Sequence, residues 1–179
     1  MQLTNIKIKN YRLLIDAEMD VDAKTTLIVG RNNTAKTSCS NCINTVLQGS
    51  DFSYNDYPLS KRENLYNLFL QFMEKKLSYE DLCKGIDPIS IEFVVDYSLD
   101  DPDTKLGALS PFIIDVDVDT TTALIRAEYQ LKTDESKLWN LFKDSCYDED
   151  KFAPKTEEMH DVLASNFTRL FGLTIFAVN

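Results

Sequence analysis

At 179 residues, with 44% apolar and 27% charged residues, the chain has the size and composition of one globular domain with a core of its own. A formal net charge of −10 argues against a nucleic-acid surface spread over the whole chain, because phosphate contacts need clustered Lys and Arg, although Lys7, Lys9, Arg12, Lys24, Arg31 and Lys36 leave room for a local basic strip. Four cysteines make no disulfide framework, Met1-Gln2-Leu3-Thr4 opens no signal peptide, and no apolar run approaches the ~18 residues of a membrane span, so a reducing cytoplasm is the expected compartment.

In chain order, Leu3, Ile6 and Ile8 among polar neighbours predict a strand over residues 3–9, and a second strand follows over 14–19. Asp20 to Lys24 is a turn into an apolar run, Thr25–Val29, which predicts a third strand. From Lys36 to Gln48, Cys39, Cys42, Ile43, Val46 and Leu47 recur at helical spacing, with Gly49 as C-cap. Asp51 to Pro58 is a polar, aromatic-bearing loop, and residues 59–76 form an amphipathic helix on Leu65, Leu68, Phe69, Phe72 and Met73. Ser78 caps a short helix running to Gly85. Ile89–Leu99, Pro111–Val118 and Thr121–Leu131 predict antiparallel strands, not another βαβ repeat. A helix around Trp139, an acidic loop over 146–155, and a last helix through Leu170 with Val162, Leu163, Asn166 and Phe167 inward precede a buried strand at Leu173–Val178.

The segment that carries chemistry is Gly30-Arg31-Asn32-Asn33-Thr34-Ala35-Lys36-Thr37-Ser38. Strand, tight loop and helix are the setting of a phosphate-binding P-loop, in which backbone N–H groups and the positive helix end surround the phosphates. Lys36 then reaches the β- and γ-phosphates and the Thr37 hydroxyl ligates Mg²⁺. Ala35 stands where such loops carry Gly, a position of left-handed backbone, which costs a residue with a Cβ about 1–2 kcal/mol. Elsewhere the structural readings dominate. Cys39 and Cys42, three apart on a helix, point into the core rather than to a metal. Asp115, Asp117 and Asp119 form a solvated strand face, since no Gly turn or closing Glu of a calcium loop follows. His160, the sole histidine, is a surface residue.

Leu3-Thr4-Asn5-Ile6-Lys7-Ile8-Lys9-Asn10-Tyr11-Arg12, a second strand, then Leu27-Ile28-Val29-Gly30-Arg31-Asn32-Asn33 and Lys36-Thr37-Ser38, resembles the N-terminal ATPase lobe of the OLD (overcoming lysogenization defect) family and its RecF- and SMC-like ABC ATPase relatives. These open on an I-x-I-x-N-[FY]-R strand and carry a G-x-N-N-x-G-K-[ST] loop. The resemblance implies an α/β P-loop NTPase lobe with an antiparallel β insertion, divided as strands, P-loop and first helix (1–50), a helical segment (51–88), antiparallel strands (89–132), and helices with a returning strand (133–179). It implies ATP and Mg²⁺ as ligands. Gly30, Arg31, Asn33, Thr34, Ala35 and Ser38 line the nucleotide, Lys36 and Thr37 take the phosphate and Mg²⁺ positions, and Asn32 lies near the γ-phosphate. Arg12 matches an Arg that lies close to the nucleotide in relatives; its alternative is a surface Arg ending a strand.

Family members form head-to-head dimers in which the partner's signature loop closes each site. OLD proteins add a Toprim nuclease that acts on DNA, and many serve in anti-phage defence, some beside an accessory defence protein. Residues 1–179 contain no Ser-Gly-Gly signature loop, no apolar strand ending in Asp-Glu and no Toprim acidic cluster. The expectation is therefore the first, unfinished lobe of a longer chain or a reduced relative, hydrolysing ATP only when completed by a further lobe and a homodimer partner. Alternatives are a RecF/SMC-like DNA-repair ATPase without nuclease and a non-catalytic nucleotide-binding scaffold; the Asn-Tyr-Arg opening argues against a transporter domain.

Overall fold

The structure, a computed structural model, describes residues 1–31, 35–98, 109–113, 121–148, 153–154 and 156–178. Its frame is a five-stranded sheet in which β1 (Gln2–Tyr11) lies between β2 (Leu14–Asp20) and β3 (Ile89–Asp96), followed by β4 (Thr122–Leu131) and β7 (Phe171–Val178). Every pairing is antiparallel, with Ile8 opposite Ala17 and Ile91, Phe93 opposite Ile125, and Tyr129 opposite Leu173. The helices are α1 (Lys36–Leu47), α2 (Leu59–Met73), α3 (Tyr79–Gly85), α4 (Glu135–Cys146) and α5 (Thr156–Leu170), and a short ribbon pairs β5 (Tyr147–Asp148) with β6 (Ala153–Pro154).

Alternation decides which face is buried. Ile6, Ile8, Ile89, Ile91, Ala127 and Tyr129 point toward the helices and join one core. The opposite face carries charges of alternating sign, Glu18 beside Lys7 beside Glu92 beside Arg126 across four strands, with Arg126 Nη2 2.8 Å from Glu92 Oε1. An aromatic chain crosses the core. Phe52 meets Tyr11 and Tyr129 edge-on at 5.4 Å, and Phe167 stacks on Phe171 at 4.4 Å.

Ser78 caps α3 by accepting from the Asp81 N–H, and Gly49 follows α1 at φ 61° with its N–H on the Val46 carbonyl, both as the sequence predicts. α5 buries Leu163 and Phe167 as expected, but Met159 and Leu170 complete its inner side while Val162 and Asn166 sit at its margin.

Four expectations are corrected. Thr25–Val29 forms no strand; Leu27 and Val29 are 79% and 77% exposed, and no strand among the described residues offers them a ladder. Residues 110–112 make a 3₁₀ turn with Pro111 near its start, and proline's fixed φ and missing N–H suit a turn better than a ladder; the rest of the expected strand, 114–118, lies outside the described residues. The expected acidic loop 146–155 begins inside α4, which ends at Cys146, and carries the β5–β6 ribbon, whereas the aromatic-bearing 51–58 loop sends Phe52 and Tyr57 into the core. Among the described residues β7 pairs with β4 on one side and stands at the sheet edge, leaving Ile175 half exposed, rather than being a buried strand.

Candidate nucleotide site

The site is built on the start of α1. Cys39, Cys42 and Val46 recur on one side of this helix and bury it against β1 and β3. Cys39 Sγ lies 3.5 Å from Met19 Sδ under the edge strand. Burial raises both thiols, Cys42 to about 12, so this pair packs as the spacing predicts and offers no ready thiolate. Among the described residues no group of three or more His, Cys, Asp or Glu gathers to hold a metal ion.

With its back fixed, α1 presents its first turn outward. Ala35 is the N-cap at φ 62°, ψ 10°, the left-handed backbone expected at the position where P-loops carry glycine. Its side chain makes no capping bond, its carbonyl accepts from the Cys39 N–H at 2.9 Å, and no acid stands in the first turn. The positive dipole end of the helix therefore meets no acidic side chain from its own first turn, a setting that favours an anion. Lys36 Nζ turns back to donate to the carbonyls of Gly30 and Arg31, closing the loop on itself from the lysine side. Thr37 is exposed and Ser38 half-buried, beside exposed Gly30 and Arg31. Asn32, Asn33 and Thr34 lie outside the described residues, as do Asp115, Asp117 and Asp119.

Arg12 sits at the tip of the β1–β2 hairpin with φ 51°, an unusual backbone for a residue with a side chain, and Asn10 two positions earlier has φ 58°. Asp56, in the 3₁₀ turn Tyr54–Asp56, holds that tip. Its carbonyl accepts the Arg12 N–H at 2.8 Å, and its Oδ1 accepts Arg12 Nε at 2.8 Å and Nη2 at 2.7 Å. Its Oδ2 accepts the Ser53 N–H at 2.9 Å and hydroxyl at 2.8 Å. Burial alone would raise the Asp56 pKa, but the Ser53 donors and Arg12 outweigh it and hold the carboxyl below its ordinary value. Tyr11 beside it is pushed up to about 12, by burial first and the Asp56 charge second. Both charges also act on the Cys42 thiol, Asp56 raising it and Arg12 lowering it. Sequence reasoning missed Asp56. Its one local signal is Ser53-x-x-Asp56, a capping-box spacing. His160 is exposed as expected, stacked on Tyr66 at 4.0 Å.

A family model described as an AAA ATPase domain matches residues 1–172. The chain belongs to the AAA ATPase domain family. No curated relative matches it. Membership makes this an ATP-binding, ATPase-type P-loop domain, a coarser statement than the resemblance to OLD and RecF/SMC-like proteins. The residues of the AAA ATPase domain fit that ligand: a left-handed N-cap, an acid-free helix start, a lysine at the first helical position and a hydroxyl at the second. No helix among the described residues is long and apolar enough to cross a membrane.

Proposed function

We propose that this chain is the ATP-binding lobe of an OLD-type ATPase. ATP held here governs DNA cleavage by a Toprim nuclease domain outside residues 1–179, in a homodimer serving anti-phage defence. The observation that carries the nucleotide reading is the left-handed Ala35 immediately before Lys36 at the start of α1. What supports the OLD-type reading within that class is the hairpin preceding the loop, with Asn10-Tyr11-Arg12 at its turn and Arg12 fixed by Asp56.

Lys36 and the first-turn N–H groups would hold the phosphates, and Thr37 would hold Mg²⁺, which supplies charge neutralisation when bound. Lys36 must exchange two neutral carbonyls for phosphate oxygens. That exchange is favourable, because hydrogen bonds to an ionised acceptor are roughly twice as strong as neutral ones. The test is calorimetric titration of the chain with Mg-ATP. Lys36→Ala is expected to abolish binding, since it removes the cation at the helix start. Equal affinity in wild type and variant would refute the assignment.

A further inference from the structure

The turn that leaves α2 carries a lysine where such a turn favours glycine. Lys75 has φ 58°; its N–H donates to the Phe72 carbonyl at 3.0 Å, and the Lys76 N–H reaches the Gln71 carbonyl at 2.9 Å, so the helix closes on a left-handed residue. Glycine takes that backbone without strain, and a long side chain held there points to a use for the side chain. The Lys75 ammonium lies 5.3 Å from the ring centroid of Trp139, the one tryptophan of the chain. No carboxylate among the described residues is ion-paired with it. Its neighbour Lys76 is paired with Glu74 at 2.8 Å, and the Ser78 hydroxyl donates to Asp81 at 2.6 Å.

Ring and ammonium stand at a cavity of about 420 Å³ between the end of α2 and the start of α4, walled by Phe72, Leu77 and Trp139 and edged by Glu135. That volume suits a small organic molecule. Phe72 is buried and meets Trp139 edge-on at 6.1 Å, which fixes the aromatic wall to the core. The formal charge of −10 weighs against a long polyanion here and leaves room for a small one.

We propose that this cavity binds a small aromatic anion, a flat ring bearing a phosphate or a carboxylate, with the ring stacked on Trp139 and the anionic group on Lys75. On binding, the ammonium exchanges the ring face for a charge-assisted bond, and the ligand's own ring takes the face it leaves. Glu135 at the rim opposes any anion, so stacking must carry part of the affinity, and an anion without a ring is rejected. None of these residues belongs to the phosphate loop, and the site stands whether or not the nucleotide reading above does.

The test is fluorescence of the purified 179-residue chain, in which the single tryptophan reports on this cavity. Saturable quenching is expected with thymidine monophosphate, benzoate or both, and which of them binds tells a phosphate source from a carboxylate one. Thymidine and inorganic phosphate, the ring and the charge alone, are each expected to bind at least about tenfold more weakly, the size of one lost contact. Lys75→Gly is expected to weaken the bound probe by about tenfold while Tm holds or rises, because glycine relieves the positive φ. A lysine that served only to close α2 would instead show a lower Tm and unchanged affinity. If Lys75→Gly does not fold, Lys75→Gln removes the charge and keeps the side chain. Trp139→Leu, read by calorimetry, is expected to lose the probe. Lys36→Ala is expected to bind it as wild type does, and loss there would place the probe at the phosphate loop and overturn the proposal. So would no saturable quenching by either probe, inorganic phosphate binding as tightly as thymidine monophosphate, unchanged affinity in the Lys75 variants, or an oligothymidylate strand binding more tightly than the monophosphate.

Discussion

Replacing Ala35 with glycine is the sharpest test of the loop's shape. Ala35 holds φ 62°, where its Cβ crowds the following carbonyl at about 1–2 kcal/mol. Glycine removes that strain. It returns roughly 0.4–1 kcal/mol through the extra freedom of the unfolded chain. The side chain of Ala35 makes no capping bond, so nothing else is lost. The net is a gain of roughly 0.5–1 kcal/mol, which for a domain of this size raises Tm by about 1–4 °C. Thermal unfolding by circular dichroism measures it, and ATP affinity is expected to rise or hold. Ala35→Val supplies the opposite arm: a β-branched side chain is still less tolerant of positive φ and should lower both. A Tm for Ala35→Gly equal to or below wild type, or a loss of ATP affinity, would refute the claim that this loop is shaped around a left-handed residue.

Asp56 makes stability depend on acid. Its folded pKa is depressed, so its contribution is fully present above the unfolded value of about 3.9 and is lost as pH falls through the lower folded value. Urea midpoints for wild type should fall between pH 5 and pH 2 by more than those of Asp56→Asn, and parallel curves would refute the linkage. Turnover is the other measurable. With no acid in the first turn of α1 and no group of three or more His, Cys, Asp or Glu gathered among the described residues, phosphate release at saturating Mg-ATP should stay far below the enzyme median of about 10 s⁻¹. A rate near that median, lost in Lys36→Ala, would show that residues 1–179 form a complete ATPase.

Local chemistry was legible in the sequence and long-range closure was not. The left-handed residue could be read at position 35 because a motif fixes which backbone sits before its lysine, and the caps at Ser78 and Gly49 because their donors lie within a few residues. β1, β2, β3 and β4 followed from alternation, since one face of each strand meets helices. Thr25–Val29 has the same local propensity, but a strand also needs a neighbour to bond, and the described sheet has none for it. Asp56 escaped for a related reason. Its partner Arg12 lies 44 residues away, and the packing of Phe52 between Tyr11 and Tyr129 helps draw the two segments together.

Packing behind α1 is what fixes the start of the helix in the absence of a flanking strand among the described residues. A P-loop is ordinarily held from both ends, by the strand that enters it and the helix that leaves it. Here the entering segment, Thr25–Val29, is exposed, and among the described residues the geometry is fixed from the helix end. The hold comes from behind: Cys39, Cys42 and Val46 seat α1 on the sheet, and Ala35 turns the chain sharply at its first turn. Lys36 then satisfies its ammonium on the carbonyls of Gly30 and Arg31, which draws the entering segment toward the helix it would otherwise leave. Lys36 Nζ is thus committed to the loop's own carbonyls, and phosphate binding by the same Nζ, as proposed above, would require it to release them. On that proposal ATP takes over the loop's closure as it binds. No acid stands in the first turn of α1 to oppose that exchange.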